Sequence, residues 1–152
     1  MKRRIVGFLL ASLVAAGALA AEPVLVPVSQ QALLERQQQG DESTYVLDVR
    51  SPEEYAAGHV PGAVNIPYDQ MASRIAEVPR DKDVVLYCKS GRRAGIAAEA
   101  LASQGYDRLQ HLEGDIVAWV EKGRPVETPQ DPAACIAALT AGQPAEQACA
   151  AH

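Results

Sequence analysis

Short apolar segments rich in β-branched residues alternate with short segments of helical character along most of this chain, and this alternation restricts its fold more than any other feature. The clearest strand candidate is residues 84–87, a continuous apolar run typical of a central strand that is covered on both faces. Strands that alternate with helices predict an α/β domain with a central, mostly parallel five-stranded sheet flanked by helices. In such a sheet, ligands bind beyond the carboxyl ends of the strands.

Local signals predict the bounds of the individual elements. The predicted strands are residues 24–28, 44–49, 63–66, 84–87 and 108–112, and the predicted helices are 29–39, 51–58, 69–77, 93–104 and 114–122. Prolines at positions 23 and 27 favour an edge position for the first strand. Ser29 and Ser51 are expected to cap the helices that follow them. In the helix over 93–104, the residues expected to face inward are Ile96, Ala100 and Leu101.

Cys88 directly follows the central apolar run, and a glycine turn and a helix-prone segment come next. At this position, backbone N–H groups and the helix dipole are directed at the sulfur, which favours thiolate over thiol. The dipole contributes only about 0.3–1 kcal/mol, whereas an unperturbed cysteine thiol has a pKa of about 8.5. Direct N–H donors and nearby cations must therefore contribute as well. Gly91 either lets the loop curl so that its N–H groups face inward or merely makes a turn.

The loop after Cys88 is cationic, although the chain as a whole is acidic. It contains Lys89, Arg92 and Arg93, whereas 19 Asp and Glu residues outnumber 14 Lys and Arg residues over the full chain. An acidic chain disfavours nucleic acid as a partner, and the local cationic patch favours a small anionic substrate. The alternative for Lys89 and Arg92 is an ordinary solvated charge, and for Arg93 a role limited to bracing the loop.

Residues 1–20 have the pattern of a secretory signal peptide. A basic start is followed by an apolar stretch over 5–16 and by the small-x-small pattern Ala-Leu-Ala at 18–20. A membrane anchor is the alternative, but the apolar run is shorter than the roughly 18–20 residues that a spanning helix needs. We therefore expect a periplasmic or secreted protein that has no membrane association after cleavage. The expected organisation is one domain over 21–127 and an alanine-rich helical appendage over 128–152.

Several motifs in order resemble those of one known family, the rhodanese domains. Residues 48–55 (Asp-Val-Arg-Ser-Pro-Glu-Glu-Tyr), 58–63 (Gly-His-Val-Pro-Gly-Ala) and 65–67 (Asn-Ile-Pro) resemble the leading signature of the family. Residues 88–93 (Cys-Lys-Ser-Gly-Arg-Arg) resemble its active-site loop, and Gly114 with Trp119 resembles the segment that closes the domain. The resemblance covers about residues 28–125. With its single domain and signal peptide, the chain resembles the small periplasmic rhodaneses of the phage-shock-protein E type.

The resemblance implies a three-layer domain that transfers sulfane sulfur through a cysteine persulfide. Cys88 would be the sulfur carrier, and the implied substrate-binding residues are Lys89, Ser90, Gly91, Arg92 and Arg93. The donor would be a small anion such as thiosulfate, a polysulfide or a persulfide, and the acceptor a thiol or cyanide, in a ping-pong reaction. No cofactor is implied, and the scattered histidines at 59, 111 and 152 give a metal site little support. A monomer is the default expectation.

Other residues of the motifs are expected to support the site rather than to react. Asp48 either accepts a hydrogen bond from the loop, pairs with an arginine or is an ordinary strand-end carboxylate. Arg50 is expected to pair with Glu53 or Glu54 as a structural brace. His59 is expected to be structural and Trp119 to lie in the core. One departure from the family pattern, Gly114-Asp115 where many members have two glycines, concerns the local turn.

The family reaction also bears on the other two cysteines. Three cysteines in an exported chain leave one unpaired, and the reaction requires that this be Cys88. Cys135 and Cys149 would then form a disulfide across the tail, worth about 3 kcal/mol in the chain-entropy model. Two alternatives are a pair of buried thiols and a tail cysteine that resolves the Cys88 persulfide.

Two other functions compete with sulfur transfer. Related cysteine phosphatases and arsenate reductases place five residues between cysteine and arginine, enough to encircle a tetrahedral oxyanion. Only four separate Cys88 from Arg93, and the shorter ring suits a single sulfur atom. The other competitor is a noncatalytic binding module, because some rhodanese-like domains have lost their nucleophile.

Overall fold

The computed structural model describes residues 25–128, which form a five-stranded parallel sheet with helices packed on both faces. The strands are β1 Val26–Val28, β2 Thr44–Asp48, β3 Val64–Asn65, β4 Asp83–Tyr87 and β5 Leu109–Leu112. The helices are α1 Gln30–Gln38, α2 Pro52–Ala56, α3 Met71–Arg74, α4 Arg92–Ser103 and α5 Asp115–Glu121, and a 3₁₀ turn over Ile75–Glu77 extends α3. The predicted fold class is confirmed.

The sheet order is β1-β5-β4-β2-β3, so β4 is central and β1 is at an edge, as predicted. Side chains of β4 alternate between two apolar clusters, one on each face of the sheet. Val84 and Leu86 pack in the cluster that includes α4, and Val85 and Tyr87 in the cluster that includes Trp119 of α5. Trp119 is fully buried, which confirms its place in the core.

Predicted caps account for the starts of two helices. The Ser29 hydroxyl accepts a hydrogen bond from the Ala32 amide at 3.1 Å and begins α1. Ser51 and Glu54 form a reciprocal capping box at the start of α2. The second cap also places Glu54 beside the cysteine loop.

The predicted inward face of α4 is partly wrong. Ile96 is 40% exposed, and the buried residues of the helix are Ala94, Ala97, Ala98 and Leu101. These positions follow the i, i+3, i+4, i+7 spacing of one helix face, and Ile96 lies to the side of it. Small alanine side chains therefore form most of the contact between α4 and the sheet, and the hydrophobicity of Ile96 misled the prediction.

Several predicted segments fall outside the described residues, namely the signal peptide over 1–20, most of the appendage over 128–152 and the Cys135–Cys149 disulfide. Within residues 25–128, no helix has the length and apolar character needed to cross a bilayer.

Candidate active site

Cys88 lies at the carboxyl end of the central strand β4 and is only 1% exposed. Its amide donates a 2.7 Å hydrogen bond to Oδ1 of Asp115, and its carbonyl accepts one of 3.2 Å from the Ile116 amide. Cys88 is a free thiol in the part of the chain that the structure describes. Its backbone is thus held from below by the start of α5, and the sulfur lies at the base of the loop.

Gly91 completes the turn above the sulfur. Its φ of +91° is a conformation that residues with a Cβ rarely adopt, and its amide donates a 3.1 Å hydrogen bond to Sγ of Cys88. A Cβ at this position would lie 3.4 Å from Oδ2 of Asp115 and 3.4 Å from Cε1 of His111. The loop therefore curls as expected, but among the described residues only the Gly91 backbone N–H donates to the sulfur, and the Cys88 amide is directed to Asp115.

The three loop cations have different environments. Lys89 and Arg92 are exposed at the mouth of the loop, as is Ser90. Arg93 is partly buried and its guanidinium binds the Glu54 carboxylate, with Nη2 2.9 Å from Oε1. Hydrogen bonding to Glu54 raises the pKa of Arg93, and hydrogen bonding from Arg93 lowers the pKa of Glu54 to about 2. Arg93 thus joins the first turn of α4 to α2.

We expect Glu54→Gln to lower the stability of the fold by less than about 1 kcal/mol at neutral pH, because the ion pair is partly exposed. The folded-state pKa of Glu54 is depressed, so the contribution is fully present above about pH 5 and disappears as the pH falls toward 2. Urea unfolding of wild type and variant at several pH values measures the difference. Glu99→Gln, an exposed carboxylate on α4, is the control, and an unchanged difference between pH 7 and pH 2 would contradict the assignment.

Asp48 and Arg50 form a buried ion pair at the carboxyl end of β2, which pairs with β4. Nη2 of Arg50 lies 2.6 Å from Oδ2 of Asp48, and the same oxygen accepts a 2.7 Å hydrogen bond from the Tyr87 hydroxyl. The expected pairing of Arg50 with Glu53 or Glu54 is therefore wrong. Asp48 is completely buried and needs a cation, whereas Glu54 already binds Arg93.

His59 has no contact with the cysteine loop among the hydrogen bonds of the described residues. Its ring stacks on Tyr55 at 3.7 Å between centroids, and Nδ1 lies 3.0 Å from the Tyr55 carbonyl oxygen. His59 is buried, and its backbone pairs with that of Glu127, which joins the region after α2 to the residues around Glu127.

The sequence analysis missed two residues beneath the loop, His111 and Asp115. His111 Nε2 lies 3.2 Å and 3.1 Å from the two carboxylate oxygens of Asp115, which is 3% exposed. Hydrogen bonding to Asp115 raises the pKa of His111, despite the opposing effect of burial. The available signal was a histidine at the carboxyl edge of the sheet, followed four residues later by an aspartate in place of a glycine.

A cleft of about 500 Å³ opens beside the loop. Its charged lining residues are Lys89, Arg50, Glu54 and Glu121, and its apolar lining includes Ile116, Val117, Val120 and Val126. A second cleft of about 550 Å³ is lined by residues that include Thr44 and Lys82, at the amino ends of β2 and β4 and far from Cys88. The first cleft is therefore the one relevant to chemistry at the thiol.

The described residues thus form an α/β domain with a buried thiol at the carboxyl end of its central parallel strand and a loop amide that donates to the sulfur. The chain belongs to the rhodanese-like domain family, whose model matches residues 29–122.

Sulfurtransferases are among its relatives. The chain is 40% identical over 89 residues to a sulfurtransferase of Allochromatium vinosum, covering 59% of this chain and 83% of that protein. It is 43% identical over 70 residues to the thiosulfate sulfurtransferase PspE of Escherichia coli, covering 45% of this chain and 67% of PspE. Other relatives are longer, and the chain spans less than half the length of some of them.

The fold is also similar to solved structures. A rhodanese-related protein from Thermoplasma volcanium superposes with a TM-score of 0.59 at 31% identity, covering 66% of this chain and 96% of that one. The homologues thus support sulfur transfer as the general activity, and the structural neighbour supports the fold.

Proposed function

We propose that this protein is a thiosulfate-type sulfurtransferase that carries sulfane sulfur on Cys88 as a persulfide and delivers it to a thiol or to cyanide. The observation that carries the proposal is the 3.1 Å hydrogen bond from the Gly91 amide to Sγ of Cys88 within a cationic loop. Similarity to sulfurtransferases, one of them named for thiosulfate, supports the same reaction class.

In the first half-reaction, the Cys88 thiolate attacks the outer sulfur of thiosulfate. A new S–S bond forms to Cys88, the bond between the two donor sulfurs breaks, and sulfite departs with that electron pair. In the second half-reaction, an acceptor thiolate or cyanide attacks the terminal sulfur of the persulfide. The Cys88 thiolate is then released, and the product is an acceptor persulfide or thiocyanate.

The loop residues assist both half-reactions by stabilising negative charge and by attracting the anionic donor. The thiolate, the persulfide and the donor are all anions, and a backbone amide directed at the sulfur stabilises negative charge there. The exposed cations Lys89 and Arg92 attract a small anionic donor, an effect that salt would weaken. Because Cys88 is buried, only a small donor or a slender acceptor group can reach its sulfur.

We also propose that the protein acts after export, because residues 1–20 have the signal-peptide pattern, and that it acts as a monomer. The small anionic donor and the thiol or cyanide acceptor are then molecules of the periplasm or exterior. A polysulfide or a persulfide could replace thiosulfate as donor.

Mass spectrometry of the intact protein tests the intermediate. After brief treatment with thiosulfate and removal of excess donor, we expect a gain of one sulfur, about 32 Da, located on the Cys88 peptide and lost again on addition of cyanide. Thiosulfate supplies the sulfur without any other reactant, so the test needs no partner. An unmodified Cys88 under conditions where the protein is folded would contradict the proposal.

A further inference from the structure

Asp115 has an unusual backbone conformation directly beneath the cysteine loop. Among residues 25–128 it is the only residue other than glycine with a positive φ, at +53°, and it is 3% exposed. Aspartate adopts this region at a cost, and such conformations persist where the surrounding structure holds them and cluster at functional sites. The contacts of its side chain show what holds it.

The Asp115 carboxylate binds one end of the loop and lies close to the other. Oδ1 accepts a 2.7 Å hydrogen bond from the Cys88 amide, and Oδ2 lies where a Cβ on Gly91 would come within 3.4 Å. Cys88 provides the sulfur and Gly91 the amide that donates to it. One carboxylate is therefore bound to the residue that provides the sulfur and lies beside the residue that donates to it.

This position creates an electrostatic conflict. A negative charge beside Cys88 disfavours the thiolate, the persulfide and an anionic donor. A buried carboxylate also needs a partner to offset its lost hydration. Protonated His111 can offset the negative charge and serve as the partner of the carboxylate, because Nε2 lies 3.1 Å from Oδ2. Its side chain is 28% exposed, so it exchanges protons with solvent.

We propose that Asp115 and His111 are a charge-balancing pair of positioning residues: Asp115 aligns Cys88 with Gly91, and protonated His111 cancels its charge so that Cys88 can ionise. This inference rests on the proposed function in taking the thiolate as the reactive form. In this proposal the pair acts through the loop and not by contact with the substrate.

Other groups on the surrounding elements complete the local charge balance. The charged or titratable ones on the loop and α4 are Cys88, Lys89, Arg92, Arg93 and the exposed Glu99, and Glu113 lies on the turn before α5. From α1, Arg36 donates to Gln110 on β5 and the uncharged Gln30 donates to the Glu113 carbonyl. Strand β1 has no titratable side chain. His111 is thus the cation in hydrogen-bond contact with Asp115.

The sign of the pH dependence follows from the raised pKa of His111. Protonated His111 offsets the charge of Asp115 below that pKa, and this compensation is lost as the pH rises through it. Above it, the uncompensated carboxylate opposes ionisation of Cys88. We therefore expect the reactivity of the thiol to rise with pH more gradually than that of an isolated group.

The test measures alkylation of Cys88 by iodoacetamide, a neutral reagent, between pH 5 and 10 in the full chain, with the Cys88 peptide quantified by mass spectrometry. Asp115→Asn removes the charge but keeps an oxygen for the Cys88 amide. We expect its half-maximal rate at a lower pH than in wild type and that of His111→Gln at a higher pH, the two displacements together amounting to about one pH unit, because wild-type His111 is protonated over only part of the range. In the double variant, the effect of His111→Gln should disappear.

Asp83→Asn is the matched control, because it removes a paired carboxylate at the amino end of β4, far from the loop. If Asp115→Asn does not fold, Asp115→Gly, which relaxes the positive φ, replaces it. Profiles of Asp115 and His111 variants that coincide with the control would overturn the inference, as would equal shifts from His111→Gln with and without Asp115. Alkylation requires no sulfur transfer, so failure of the proposed function would leave these profiles unaffected.

Discussion

Replacing Cys88 with serine is expected to lower thiocyanate formation from thiosulfate and cyanide by at least about 10⁴-fold, to the background rate. A serine hydroxyl is not ionised near neutral pH and cannot form a persulfide. Cys88 is the only free cysteine in the described part of the chain, so no other thiol there can take its place. Serine nearly matches the size of cysteine, and the variant should unfold at a similar urea concentration.

The control for this experiment is the double variant Cys135→Ser/Cys149→Ser. If Cys88 is the only sulfur carrier, the double variant retains the thiosulfate-to-cyanide rate, because cyanide takes the sulfur directly from Cys88. A large loss in the double variant would support the alternative that a tail cysteine resolves the persulfide. Equal rates for wild type and Cys88→Ser would remove the catalytic role and favour a binding module.

The fold could be predicted because its signals are local. The continuous apolar run of β4 is typical of a strand that is buried on both faces. Ser51 and Glu54, three residues apart, form a capping box. Ile96 shows where local reasoning fails. Its hydrophobicity favours burial, but the close packing of alanines decides which face of α4 meets the sheet.

The site could be predicted only in part, because some of its contacts join residues that are distant in the sequence. Cys88 and Gly91 are three residues apart, and a strand end followed by a turn brings them together. Asp115 lies 27 residues beyond Cys88, and its contact depends on β5 lying beside β4. The predicted pairing of Arg50 with Glu53 or Glu54 was wrong because the burial of Asp48, which binds Arg50 instead, depends on the assembled sheet.

Asp48 is a second point where the site depends on a buried charge. Its carboxylate accepts hydrogen bonds from the Arg50 amide and guanidinium and from the Tyr87 hydroxyl, and the same hydroxyl accepts one from the Val60 amide. Burial, followed by the charge of Asp48, raises the pKa of Tyr87, so its hydroxyl stays protonated and donates. Tyr87 directly precedes Cys88, so the network anchors the strand end that carries the thiol.

Asp48→Ala is therefore expected to lower the free energy of unfolding by about 3–5 kcal/mol, because Arg50 is left as a buried charge without its carboxylate. Urea unfolding at neutral pH measures the change. Asp83→Ala, which breaks the more exposed ion pair with Arg108, should cost less than about 1 kcal/mol. Asp48→Leu/Arg50→Met removes both charges and should be less destabilised than Asp48→Ala, since no unpaired charge remains. A loss for Asp48→Ala as small as that of Asp83→Ala would show that the buried pair contributes little to holding the end of β4.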